Sequence, residues 1–205
     1  MKKSIIFIFI IGALLLAISS CNKDEEVSKK HVYTPEELAY KDSVEAAKQN
    51  VKANYIATFS VTIPLDTVNY SGPMVQADTI VLLQKLGLTT MKELSDAMGT
   101  VNSGVQSGNT ITFFAINNST RYDYTDAFTA DGFGHWFDAS GDVCSWGDND
   151  KLFSMLDPAT FSFTIGQHPK HLKTGDKYKI IQAIKKGDYR VAFVFDVTVG
   201  SYIKP

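Results

Sequence analysis

Alternation of apolar and polar residues along much of the chain predicts β-structure. From Tyr55 to Leu65 apolar residues alternate with Thr and Ser, which is the pattern of a half-buried strand. Further strands are predicted at 110–116, 133–138, 142–146, 161–165, 178–184 and 189–199. In the last of these, the residues at odd positions from Tyr189 to Val199 are apolar and share one face.

Three short helices are predicted between or before these strands. Thr34 and Pro35 suit the cap and first turn of a helix over 34–53. A second helix is predicted at 77–86, ended by Gly87. A third begins at Thr90, which forms a capping box with Glu93, and ends at Gly99.

The number and spacing of the strands predict the fold class. Seven strand candidates with few helices indicate a mainly β, antiparallel two-sheet β-sandwich with two or three short helices. We expect a single sandwich domain over 54–205. No internal repeat is visible in the sequence, which disfavours propellers and solenoids.

Composition narrows the class of partner. Hydrophobic residues make up 44% and charged residues 20% of the 205 residues, which is ordinary for a globular protein. Lys and Arg total 20 against 22 Asp and Glu, for a net charge of -2. Because no basic excess exists to neutralise phosphates, nucleic acid is not an expected partner.

The beginning of the chain has the pattern of an export signal. Lys2 and Lys3 precede an apolar run over 5–18 that is too short to span a bilayer, so 1–20 is predicted to be a signal peptide. The run ends in Ile-Ser-Ser-Cys at 18–21, which resembles the lipobox of bacterial lipoproteins. The resemblance implies that Cys21 is lipidated and anchors the protein in the membrane. The alternative is a plain signal peptide followed by a chance cysteine.

The tether predicted over 21–33 contains a charged motif that resembles a known export signal. Lys-Asp-Glu-Glu at 23–26 resembles the export tag of surface lipoproteins in anaerobic Gram-negative gut bacteria, although a solvated linker would also be charged. The tag implies an outer-membrane lipoprotein that faces the medium. With Cys21 lipidated, Cys144 is the one remaining thiol, so no intrachain disulfide is expected.

The segment 132–150 contains both tryptophans of the chain. A three-residue turn at 139–141 would place Trp136 and Trp146 on one face of the hairpin, whereas a two-residue turn would place them on opposite faces. An exposed pair could stack on sugar rings; the alternative is that both indoles belong to the core. The polar candidates beside the pair are His135, Asp138 and Asp148, and Tyr122 and Tyr124 are a second aromatic source in the preceding loop.

The same segment is rich in oxygen ligands. Asp138, Asp142, Asp148, Asn149 and Asp150 could bind Ca²⁺, but the spacing is not an EF-hand and Asp beside Gly is also common in turns. His168 and His171 are separated by a proline and lack an adjacent third ligand, so a surface loop is expected there. No cofactor and no metal ligand are assigned. No nucleophile elbow, zinc-protease motif or P-loop occurs, and no catalytic residue is assigned.

One longer resemblance concerns function. The residues Gly-His-Trp-Phe-Asp at 134–138 and Trp-Gly-Asp at 146–148, followed by the segments 161–167 and 175–180, resemble a domain of unknown function in secreted proteins of gut bacteria. The resemblance implies a setting among lipoproteins and glycoside hydrolase modules. We therefore expect a non-catalytic glycan-binding or glycan-uptake accessory protein, with glycan and outer-membrane glycan-import proteins as partners. The alternatives are a small glycan-acting hydrolase and a structural or adhesive surface protein.

Overall fold

The computed structural model describes residues 34–36, 53–70, 72–124, 132–147 and 149–202. The chain divides into two compact units, Met1–Tyr40 and Lys41–Pro205. In the first unit Pro35 and Glu36 are helical, as predicted. The signal peptide, the tether with Cys21 and residues 37–52 of the first predicted helix lie outside the described residues. Within the described ranges, no helix has both the length and the apolar character needed to cross a membrane.

The second unit is built mainly from strands. Its elements in chain order are β1 (Tyr55–Leu65), β2 (Met74–Gln76), α1 (Thr79–Leu86), α2 (Met91–Met98), β3 (Thr100–Asn102), β4 (Val105–Ser107), β5 (Thr112–Ile116), β6 (Asp123–Tyr124), β7 (Phe133–Phe137), β8 (Val143–Cys144), β9 (Leu152–Asp157), β10 (Ser162–Gln167), β11 (Lys177–Lys186) and β12 (Tyr189–Tyr202).

The strands form two five-stranded sheets and one small hairpin. The first sheet has the order β1-β12-β11-β5-β6, the second has the order β2-β10-β9-β7-β8, and β3 pairs with β4. The predicted mainly β fold with two sheets and short helices is thus confirmed. One pair departs from the antiparallel pattern, because β1 runs parallel to β12. All the other strands lie between β1 and β12 in the chain. Because no hairpin turn connects these two strands, none imposes an antiparallel direction.

The core lies between the two large sheets. Alternate residues of β12, including Val191, Phe193 and Phe195, are buried in it. From the second sheet, the Phe163 ring lies 4.9 Å from the Phe193 ring and 5.1 Å from the Phe195 ring. Aromatic pairs at such distances add to the free energy gained from burial of apolar area.

A small polar group crosses this core. The Gln182 amide on β11 donates to His135 Nδ1 at 3.2 Å and to the Ser154 backbone carbonyl at 3.3 Å. The Ser154 hydroxyl donates to Gln182 Oε1 at 2.7 Å. All three residues are 0% exposed, so each hydrogen bond satisfies a group that has lost its contact with water. The group links the two sheets of the sandwich.

Both helices form close to where the sequence predicts, although α1 begins at Thr79 and not at 77. The Asp78 side chain caps α1 by accepting from the Val81 amide, and Gly87 ends the helix with φ 62°. At the start of α2, Thr90 and Glu93 form the predicted capping box. The buried residues of the two helices are Leu82, Leu86, Leu94 and Met98, which pack into the same core cluster.

Candidate functional site

The β7–β8 hairpin determines where the tryptophans lie. Trp136 pairs with Cys144, and the Asp138 amide donates to the Asp142 carbonyl at 2.9 Å. These pairs leave three residues, 139–141, in the turn. The hairpin therefore has the three-residue turn, and both tryptophans contact His168 on one side of the sheet. Gly141 has φ 80°, and a Cβ there would lie 2.0 Å from the Lys179 carbonyl oxygen, so this turn requires glycine.

Trp136 lies on the outer face of the second sheet. Along β7, Phe133, His135 and Phe137 point into the sandwich and are buried, whereas Trp136 is half-buried on the opposite face. Its ring centroid lies 5.1 Å from that of Phe153 and 6.0 Å from that of Tyr70. Trp136 is therefore neither a core residue nor fully open to solvent.

The absence of a side chain at Gly166 makes room for this packing. A Cβ at Gly166 would lie 2.0 Å from the Phe153 ring and 2.4 Å from the Tyr70 carbonyl oxygen. The Gln167 amide donates to that same carbonyl at 3.3 Å, which holds the loop between β1 and β2 against β10. The close approach positions the Tyr70 ring beside Trp136.

Trp146 is the most exposed of these rings, with 60% of its surface accessible. It stacks on His168 with a centroid distance of 5.6 Å and an interplanar angle of 12°. The Trp136 ring contacts the same imidazole, with a centroid distance of 5.9 Å. His168 thus lies between the two indoles. We call Tyr70, Trp136, Trp146, Phe153 and His168 together the aromatic surface.

A cluster of three titratable groups borders the aromatic surface. Asp150 is fully buried, and its carboxylate accepts from the Gly147 amide at 3.0 Å. Asp150 Oδ2 lies 2.6 Å from His168 Nδ1, and Asp150 Oδ1 lies 3.6 Å from His171 Nδ1. The two imidazole rings stack with centroids 3.9 Å apart. We call Asp150, His168 and His171 the histidine–aspartate cluster.

The structure places His135 away from the tryptophans. The side chain points into the core, is 0% exposed and lies beside Gln182, so we leave it out of the proposed binding surface. Burial lowers the pKa of His135 to about 3, because the charged imidazolium would lose its hydration. The inward direction follows from strand alternation, since His135 and Trp136 are neighbours on β7.

The two described aspartates of the hairpin turn are engaged by local hydrogen bonds. Asp138 Oδ1 accepts from the Ser140 amide at 2.8 Å and from the Asp142 amide at 3.1 Å. The Asp142 carboxylate accepts from the amide and the hydroxyl of Ser119. Asp148 lies outside the described residues. The Ca²⁺ hypothesis for this segment stays a prediction.

The other two candidate aromatics lie on the first sheet or beside it. Tyr124 belongs to β6 at the edge of that sheet and pairs with Ala115, and Tyr122 is 53% exposed in the preceding turn. In the part of the chain that the structure describes, the ring contacts of the two tryptophans are with Tyr70, Phe153 and His168. We therefore centre the site on the aromatic surface.

Cys144 faces Trp136 across the hairpin and is half-buried. Burial, together with the nearby carboxylates of Asp138 and Asp150, raises the pKa of its thiol to about 12. A thiol in this environment stays protonated at neutral pH and is a poor nucleophile. Its half-buried position is that of a small hydrophobic residue.

Sequence reasoning missed Tyr70, Phe153 and the histidine–aspartate cluster. Phe153 lies on β9, where Phe153 and Met155 are as apolar as Leu152 and Leu156, so the alternation that would have indicated an outward-facing ring is absent. The approach of Asp150 to His168 and His171 depends on the pairing of β9 with β10, which brings Leu152 opposite Gln167. No short motif in the sequence encodes that approach.

The fold and site define the class as a two-sheet β-sandwich protein with an aromatic surface on the outer face of one sheet. Residues 69–191 match the family model described as Domain of unknown function (DUF4859), and the chain belongs to that family. The match includes every residue of the aromatic surface and of the histidine–aspartate cluster. No curated protein and no solved structure matches the chain.

Proposed function

We propose that this protein is a cell-surface lipoprotein whose sandwich domain binds glycan without cleaving it, as an accessory in glycan capture or uptake. The observation that carries the proposal is the exposure of Trp146 beside the half-buried Trp136. Large exposed aromatic groups are costly in water and commonly mark a binding site. An indole face suits the apolar C–H face of a sugar ring.

The arrangement of the aromatic surface supports this ligand class. His168 stacks on Trp146 at an interplanar angle of 12°, and 60% of the Trp146 surface remains accessible. Tyr70 is 40% exposed, contacts both Trp136 and His168, and adds a hydroxyl. An aromatic floor with a few polar groups at its edge is the usual composition of small-molecule and saccharide sites.

The proposed location rests on the sequence. The short apolar run, the lipobox-like residues before Cys21 and the charged tether form a consistent order for a lipid-anchored exported protein. A lipid anchor would keep the sandwich domain at the membrane surface, where glycan-import proteins of the outer membrane are the partners that we propose.

The test is a glycan array followed by titration of each hit with the purified protein. We expect Trp146→Ala to weaken binding at least ten-fold, which corresponds to about 1.4 kcal/mol. The control is Ile56→Ala on β1 of the first sheet, because Ile56 is 58% exposed and so closely matches the 60% of Trp146. Equal losses in both variants, or an array without any hit, would reject the proposal. Release of reducing sugar from a bound glycan would favour the hydrolase alternative.

A further inference from the structure

The histidine–aspartate cluster is assembled by sheet pairing rather than by one segment of chain. Asp150 precedes β9, and the two histidines follow β10, so the antiparallel pairing of these strands brings both ends together. The His168 amide donates to the Lys151 carbonyl at 2.9 Å, and the Lys151 amide donates to the Phe137 carbonyl at 2.8 Å. These backbone bonds fix the two loops to the sheet, so the cluster is preorganised.

The separations within the cluster are short enough for one shared ion. One ligand atom from each of Asp150, His168 and His171 lies within 4.8 Å of the other two. Zn²⁺ binds imidazole nitrogen and carboxylate oxygen at about 2.0–2.2 Å, so its tetrahedral ligands lie roughly 3.3 Å apart. The separation of Asp150 Oδ1 and His171 Nδ1 is 3.6 Å, close to that value. The distance between Asp150 Oδ2 and His168 Nδ1 would have to increase from 2.6 Å for both atoms to bind the same ion.

The hydrogen bonds of the cluster orient both rings. A carboxylate and a backbone carbonyl can only accept, so His168 Nδ1 donates to Asp150 Oδ2 at 2.6 Å and His171 Nδ1 donates to the Asp150 carbonyl at 2.8 Å. These contacts hold both rings against Asp150 before an ion binds. The same carboxylate is fully buried, and a bound cation would compensate its charge.

We propose that Asp150, His168 and His171 bind one divalent transition-metal ion of the Zn²⁺ class through a carboxylate oxygen and one ring nitrogen from each histidine. Two imidazoles with one carboxylate favour Zn²⁺, Cu²⁺ or Ni²⁺ over Ca²⁺ and Mg²⁺, which prefer all-oxygen sites. An imidazole that binds through the nitrogen now hydrogen-bonded to Asp150 moves that proton to its other ring nitrogen, so the ring binds the ion in its neutral form. The side chains are 13% exposed for His168 and 25% for His171, which leaves a route for the ion.

The first experiment titrates the full chain, purified in detergent without a histidine tag and stripped with chelator. Co²⁺ is followed by its visible absorption, and Zn²⁺ by displacement of Co²⁺. We expect one ion per chain and a dissociation constant of micromolar or below. His171→Ala should weaken binding at least ten-fold, and His31→Ala in the tether should leave it unchanged. Binding that is absent at millimolar ion, or equal in the two variants, would overturn the proposal.

A second measurement uses the position of the tryptophans. Both indoles of the chain contact His168, so bound Cu²⁺ should quench most of the intrinsic tryptophan emission at one equivalent. Asp150→Asn should shift this quenching to at least ten-fold higher Cu²⁺. If Asp150→Asn does not fold, His168→Gln serves instead. Quenching that needs many equivalents of Cu²⁺, or that is unchanged in a folded variant, would contradict the site.

Discussion

The buried imidazole of His135 makes the free energy of unfolding depend on pH. The side chain is 0% exposed, and burial lowers its pKa from 6.5 to about 3. Gln182 presents its amide N–H to His135 Nδ1, so that nitrogen must accept. The Gln182 amide is held in this orientation because it also donates to the Ser154 carbonyl, which cannot donate. Protonation of Nδ1 would place its N–H donor opposite the N–H donor of Gln182 in the core.

The sign and size of the effect follow from linkage. Above pH 6.5 the imidazole is neutral in both the folded and the unfolded protein, so its titration does not change the free energy of unfolding. As pH falls from 6.5 toward 3, the unfolded chain takes up a proton that the folded protein cannot accept, so stability is lost progressively across this window. Within this window each pH unit lowers the free energy of unfolding by about 1.4 kcal/mol. The loss between pH 6.5 and pH 5 is therefore about 2 kcal/mol.

The assay is urea unfolding at pH 7.5, 6.0 and 5.0 for the wild type and for His135→Gln. Glutamine stays neutral and its carbonyl can still accept from Gln182, so the variant keeps the hydrogen bond and removes the titration. The other titrating groups are the same in both proteins and cancel in the difference. We expect the stability gap between the two proteins to change by about 2 kcal/mol in favour of the variant between pH 7.5 and pH 5. Parallel pH profiles would refute the reasoning.

Three further predictions test the hairpin and the anchor. Trp136→Ala should cost about 2 kcal/mol in a thermal or urea melt, because the ring is half-buried among aromatic neighbours, whereas Trp146→Ala should stay within about 0.5 kcal/mol; equal costs would contradict the placement. Gly141→Ala should cost more than about 2 kcal/mol, against roughly 1 kcal/mol for Gly187→Ala, which also has positive φ but an open position; a reversed order would count against the turn geometry. Cys21→Ser should abolish fatty-acid labelling and detergent-phase partition, and a label that persists would reject the lipobox.

The local parts of the fold could be predicted from the sequence. The strand over Tyr55–Leu65 and the capping box at Thr90 depend on residues only a few positions apart, and both are confirmed. The strand β9 was not predicted, because Phe153 and Met155 on its outer face are as apolar as Leu152 and Leu156 on its inner face. Period-two alternation is lost when both faces of a strand carry apolar side chains.

The candidate site could be predicted only in part. The sequence limited the hairpin to two registers, and the hydrogen bonds of the 139–141 turn select the one that brings both tryptophans to one face. Their unequal exposure then comes from the neighbours that cover Trp136, not from opposite faces. Tyr70 and His168 reach Trp136 from loops that are distant in sequence, so no local spacing indicates them.

The parallel pairing of β1 with β12 has a consequence for the time course of folding. Asn54 and Arg190, at one end of this pair, are 136 positions apart. Such long-range pairing slows folding, because the entropy of closing the loop must be lost before the contacts form. During synthesis or export, β1 cannot pair with β12 until nearly the whole domain has emerged, because β12 is the last strand. A chain that is threaded through a membrane from its beginning would therefore stay unfolded until late, which is the state that such passage requires.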